Sequence, residues 1–173
     1  VGVGQLKHPG TWDARPEALR RLLWETGRRT SIDVARDATA VSPTGDQLFR
    51  QPLLVLSGQG PMPALSDDAR ARLARHLRFG GLLYIDAPAP DDPFVENSLR
   101  EVRAILPRAD VGPLKDDHVL FRSFYLLDGA YGRTRDDPRV YGAFLQGRAV
   151  VLQTRCDVLG ALERDRFGTW RFE

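Results

Sequence analysis

The turn Ser57-Gly58-Gln59-Gly60 has the build of a nucleophile elbow, in which a side chain set between glycines closes an apolar run. An elbow lifts its central residue for attack on a carbonyl. Here that residue is Gln59, which cannot attack, and Ser57 has no histidine near it in the sequence. The turn reads either as a bend selected for positive φ and close packing, or as a ligand contact whose backbone N–H groups favour an anion or a carbonyl. Asp86, with Asp91 and Asp92 behind it, offers carboxylates for acid–base work or a metal. Asp92 directly precedes Pro93 and reads as a helix cap. A carboxylate at the end of a buried strand, as Asp86 is expected to be, needs a partner. Asp116-Asp117-His118 could hold an oriented base, but only Asp116 and His118 share a face on extended chain. His8 lies in a loop from which it could approach His118, whereas His76 is set among arginines and reads as solvent-facing. Cys156 beside Arg155 could be a reactive thiolate, although a buried cysteine at a strand end is the commoner state.

Strands and helices in alternation must position these groups. Residues 1–6 and 30–35 read as strands, and 53–56 and 82–85 as strands buried on both faces, because their apolar runs are continuous. Leu19, Leu22, Leu23 and Thr26 recur with helical period behind Pro16, and Gly27 is the expected stop. Ser66 is the expected cap of a helix carrying Ala69, Leu73 and Leu77, stopped by Gly80-Gly81. Pro93 opens a helix with Val95, Leu99, Val102 and Leu106 on one side. Residues 120–127 and 140–154 are rich in aromatic and β-branched types, and Gln146-Gly147 reads as a hairpin turn in the second stretch. The expected fold is α/β, an open doubly wound parallel sheet with helices on both faces and an antiparallel C-terminal edge extension. Its ligand site would lie at the carboxyl ends of the strands.

Composition narrows the function classes. The 173 residues suit one domain, 1–173, with enough chain to bury a core. No apolar run is long enough to cross a bilayer, and none resembles a signal peptide. Val1 opens the chain without a methionine, which fits a domain taken from a longer protein. Of 25 basic residues only Lys7 and Lys115 are lysines, but 23 acidic residues are interspersed and the net charge is +2. Nucleic acid is therefore not the expected partner. With Cys156 as its one cysteine the chain can form neither an internal disulfide nor a cysteine-based zinc site, and neither a metal nor a cofactor is assigned.

Several separated motifs resemble a bacterial family. They are Thr11-Trp12-Asp13-Ala14-Arg15-Pro16, Arg28-Arg29-Thr30-Ser31-Ile32, residues 49–60, Gly80-Gly81-Leu82-Leu83-Tyr84-Ile85-Asp86, residues 117–125, and Cys156-Asp157-Val158-Leu159-Gly160-Ala161. The family is domain-of-unknown-function family 4159, whose fold is similar to class I glutamine amidotransferases and flavodoxins. The resemblance implies a three-layer flavodoxin-like sandwich, in a protein that continues beyond Glu173 and is exported or membrane-tethered through segments outside this chain. It would then be periplasmic or membrane-associated. Amidotransferases of that fold carry a cysteine at the elbow, and Gln59 in its place argues against glutamine hydrolysis. The expectation is a non-catalytic binding or interaction domain that meets a protein or a small molecule. Its ligand candidates are Gly58, Gln59, Gly60, Asp86 and His118. The alternative is a hydrolase using Asp86 and His118 with a metal or an activated water.

Overall fold

Continuous apolar runs become the middle of a seven-stranded sheet in the computed structural model, which describes residues 1–165 and 167–169. The strands are β1 (Val3–Leu6), β2 (Thr39–Val41), β3 (Leu53–Ser57), β4 (Leu82–Asp86), β5 (Asp110–Pro113), β6 (Tyr141–Leu145) and β7 (Arg148–Thr154). Their order is β2-β1-β3-β4-β7-β6-β5. The first five in that order pair in parallel, and β6 and β5 are added antiparallel. Along β3 the residues alternate between two cores. Leu54 and Leu56 join Leu73 and Leu77 of α2 (Asp67–Arg78) and Phe94, Leu99 and Val102 of α3 (Pro93–Ile105). Val55 joins Leu19 and Leu23 of α1 (Ala18–Arg29) and Leu159 of α4 (Val158–Leu162). Apolar contact on both faces is why the run carries no polar alternation.

Local signals set most boundaries. The Ser66 side chain accepts from Ala69 N at the start of α2, and Asp92 accepts from Phe94 N at the start of α3. Each such cap contributes about 1 kcal/mol. Gly80, at φ +114°, turns the chain out of α2, and Gln146 and Gly147, at φ 51° and 79°, make the expected tight hairpin between β6 and β7.

The structure departs from the expectations at several places. Residues 30–35 form no strand, and β2 follows them instead. Thr30 Oγ1 donates to Thr26 O and accepts from Ile32 N, so side-chain bonding satisfies the backbone locally and competes with a ladder. Gly27 does not stop α1, which continues to Arg29, where Arg28 and Arg29 suit the negative end of the helix dipole. The antiparallel extension uses β5 rather than residues 120–127. There Val119–Phe121 forms a single 3-10 turn, after which residues 122–128 run exposed. Among the described residues no helix is long and apolar enough to cross a membrane.

Candidate functional site

β1 and β3 are neighbours, and the carboxyl end of their crevice is where the sequence points. A histidine side chain bonds across that crevice. His8 Nε2 donates to Ser57 O at 3.0 Å, while His8 Nδ1 accepts from Gly10 N at 3.0 Å. These bonds place the proton of the neutral imidazole on Nε2, and burial lowers the pKa against the opposing pull of the Ser57 carbonyl. Ser57 is buried and its hydroxyl donates to Trp12 O at 3.3 Å, leaving it no base. Gly58 is glycine because the Phe94 ring occupies the space above it: an added Cβ would stand 2.5 Å from that ring. Gly58→Ala is expected to lower stability by about 1–3 kcal/mol through overpacking. Gly60→Ala meets open space and strains only its φ of +69°, at about 1–2 kcal/mol. Urea midpoints measure both, and a Gly58→Ala midpoint equal to wild type would show that the ring is not seated there.

One N–H of the turn and two of the segment after it are taken up within the protein. Gly60 N donates to Asp92 Oδ1 at 2.8 Å, Met62 N to Asn97 Oδ1 at 2.8 Å, and Leu65 N to Glu101 Oε2 at 3.3 Å. Between these donors stand Pro61 and Pro63, which have no N–H to satisfy. One side of α3 thus holds down the whole connection from β3 to α2. Only Gln59 of the turn is exposed. A cavity of about 480 Å³ lies alongside, between Lys7, His8 and Pro9 and the start of α2 at Ser66. Phe124 and Tyr125 are themselves exposed and leave Gln59 open.

Asp86 ends β4 in a buried network. Its Oδ1 accepts from Thr154 Oγ1 at 2.7 Å, Val158 N at 3.1 Å and Tyr84 Oη at 3.3 Å, and its Oδ2 from Leu159 N at 2.7 Å. Burial pushes its pKa up to about 6, although the Leu159, Thr154 and Val158 donors pull the other way. Asp86 therefore joins β4, β7 and the start of α4 from inside. His118 is elsewhere. It caps the 3-10 turn, its Nδ1 accepting from Leu120 N, and its ring lies 6.1 Å from that of Phe144. Phe144 is level with Ala149 of β7 and Asp86 with Thr154. That offset along β7 is about 16 Å at the rise of an extended strand. The structure does not bring Asp86 and His118 together. His118 instead lines a cavity of about 560 Å³ with Arg108, Lys115, Asp117 and Phe144.

Other polar groups prove structural. Asp157 sits in the left-handed region at φ 53° and accepts two bonds from Arg15, one from Arg133 at 2.6 Å, and one from Gly160 N. Burial works to raise its pKa, and the two guanidiniums outweigh it and hold the carboxyl below its ordinary value. Sequence reasoning passed over this hub, since Arg15 and Arg133 look like any other arginines of the chain. Cys156 is buried, donates to Ala130 O, and has its thiol pushed up to about 11 by burial and by nearby Asp86, so it is no nucleophile at neutral pH. His76, expected to face solvent, is buried against Gly81, where an added Cβ would meet its ring. Packing beneath a glycine pair left no trace in the helical period. Among the described residues no three His, Cys, Asp or Glu side chains gather in a way that could hold a metal ion.

A family model described as a domain of unknown function (DUF4159) matches residues 3–171. No curated protein matches the chain.

Proposed function

Since the chain belongs to the DUF4159 family of domains of unknown function, we propose that it is a non-catalytic interaction domain that meets a protein partner through the loop after the 3-10 turn. The supporting observation is a concentration of exposed apolar side chains. Phe124, Tyr125, Leu126, Leu127 and Tyr131 are all at least half exposed, with Val119 and Leu120 just before them, and Leu126 is 85% exposed. Large apolar side chains grouped on a surface loop mark contact surfaces, whereas scattered ones need no explanation. Phe124 and Tyr125 pack edge to face at 4.8 Å, which pre-forms part of that surface. The carboxyl edge supports the same reading from the other side: Ser57, Asp86, Asp157 and Cys156 are all buried in structural contacts. Hydrolysis by Asp86 and His118 has no comparable support, given their separation.

The scaffold proposed for this role is the glutamine amidotransferase-like, flavodoxin-like one. Taken in chain order, the parallel strands β1, β2, β3, β4 and β7 lie in the order 2-1-3-4-5, which is the flavodoxin-like order. On that scaffold the crevice between β1 and β3 is the usual ligand position, and here His8 spans it.

A photo-crosslinking amino acid placed at Leu126 is expected to yield discrete protein adducts in cells making the full-length protein. The same group at Arg103, exposed on α3, serves as the control, and Phe124→Ser should abolish the Leu126 adducts. Equal labelling from both positions, or none from Leu126, would defeat the proposal.

A further inference from the structure

The opposite, amino end of the sheet holds a site of a different kind. Pro52 leads into β3 and Gly81 into β4, and between them the 3-10 turn Asp46–Arg50 and the last turn of α2 enclose a cavity of about 560 Å³. That volume lies in the range of small-molecule pockets. Its walls combine cations with aromatic rings. Arg50 and Arg75 line it and form no ion pair among the described residues, and Asp46, at the start of the 3-10 turn, is bonded to Arg72 at 2.9 Å. Arg148 adds further positive charge behind the wall, where it donates to Leu77 O and Gly81 O and closes the end of α2. Phe49 and Phe79 also line the cavity, and Phe79 is 84% exposed, an unusual cost for a phenylalanine unless something covers it. The guanidiniums of Arg72 and Arg75 lie 5.3 and 5.4 Å from the Phe49 ring, which fixes its face in place.

Two buried polar atoms at this end also lack a partner within the protein. They are His76 Nε2 and Gln51 Oε1, both on residues that line the cavity. His76 is almost fully buried, with its ring 6.4 Å from that of Phe49. Both atoms are sealed from solvent, His76 Nε2 beneath Gly81 and Gln51 Oε1 against Gly2, so they lie behind the cavity wall rather than on its surface. Guanidiniums without an ion pair and an exposed phenylalanine meet on one concave surface.

We propose that this cavity binds a small molecule that joins a planar ring to an anionic group, either carboxylate or phosphate. The fork of a guanidinium matches both anions in geometry, and the exposed ring of Phe79 offers a face for the planar part. This site is independent of the loop proposed above, because neither Phe49 nor Phe79 belongs to it, so either can fail alone.

Calorimetric titration of the chain with adenosine monophosphate and with benzoate tests the two anions, and adenosine and inorganic phosphate report the separate halves. At least one of the joined ligands should bind at millimolar concentration or below, tighter than its halves. Arg50→Ala and Arg75→Ala should each weaken it about tenfold or more, the effect expected for losing a charge-assisted contact. Phe79→Ala should weaken the joined ligand and leave inorganic phosphate unchanged. All of these side chains are exposed, and a thermal melt verifies that each variant is folded. The proposal is overturned if neither joined ligand gives heat, if binding survives both arginine substitutions, or if inorganic phosphate binds as tightly as adenosine monophosphate.

Discussion

Asp86→Ala is expected to destabilise the protein by about 3–5 kcal/mol at neutral pH, lowering the melting temperature by about 10 °C. Removing the carboxylate strands Val158 N and Leu159 N in a dry interior, with one hydroxyl hydrogen of Tyr84 and Thr154, which stay bonded to each other at 2.7 Å. Leaving a buried donor unpaired costs about 1–3 kcal/mol, so the loss is set by three donors rather than by one charge. Asp86→Asn keeps an acceptor for Leu159 N, and the two hydroxyls can rotate to meet its amide hydrogens, but Val158 N is left facing a donor, so its loss should be smaller than that of alanine, about 1–3 kcal/mol. The pH response separates the charge from the shape. Burial holds the folded pKa at about 6, above the ordinary 3.8. A raised pKa means that the folded state binds the proton more tightly, so this group's contribution is complete below about pH 4 and is lost as pH rises through about 6. Asp86→Asn should therefore flatten the decline in stability between pH 4 and 6.5, measured by urea denaturation at each pH. An alanine variant that melts within about 2 °C of wild type would show that the residue is not the internal cap described here.

Asp157→Ala is expected to cost about as much, 3–5 kcal/mol by the usual size of a broken buried pair, or ~3 at the low end. The side chains of Arg15 and Asp157 are nearly buried, while that of Arg133 is about one-third exposed and contributes less. Arg15 and Asp157 are 142 residues apart in sequence, so this pair ties the segment after β1 to the start of α4. Asp157 also accepts from Gly160 N and adopts a left-handed φ, which asparagine tolerates and alanine does not. Asp157→Asn keeps the cap and the backbone, removes the charge and turns an amide donor toward the two guanidiniums, so it breaks the ion pairs and spares the cap. A double-mutant cycle with Arg15→Ala should give a coupling of at least about 1 kcal/mol; additive single effects would sink the hub. Here the sign with pH reverses. The arginines hold the folded pKa below the ordinary value, so the contribution is present above about pH 4 and is lost as pH falls through the folded pKa. Asp157→Asn should blunt acid unfolding and leave the neutral range without a slope of its own.

Aspartates from two strand ends in one corner of the molecule thus act with opposite pH signs. The difference lies in what faces them. Asp86 meets neutral hydroxyls and amides, which only partly offset burial, whereas Asp157 meets guanidiniums, which more than offset it.

Much of the architecture was legible from local pattern. The runs at 53–56 and 82–85, the caps Ser66 and Asp92, the Gln146-Gly147 turn and the α2 and α3 stripes depend on neighbours within one or two turns of chain, so residue type and spacing suffice to place them. Edges were less legible. Residues 30–35 alternate like a strand, yet Thr30 bonds its own backbone, and β5 carries too few apolar residues to announce itself. Membership in a family of domains of unknown function was also written in the chain, and so was Gln59 between the glycines of the turn after β3.

The uses of the candidate residues were decided by tertiary structure alone. Asp86 and His118 are both suited to acid–base work by type, but register places them far apart, and Asp86 meets its partners at residues 154–159, about 70 positions later. Arg15 and Arg133 could not be told from the other arginines until the fold set them on Asp157. Phe49, Arg50, Arg75 and Phe79 likewise share a wall only because β3 and β4 are adjacent. Periodicity records which side of an element is apolar, since burial acts on every turn of it. A polar partner many residues away leaves no such period, because one hydrogen bond constrains two residues and nothing between them.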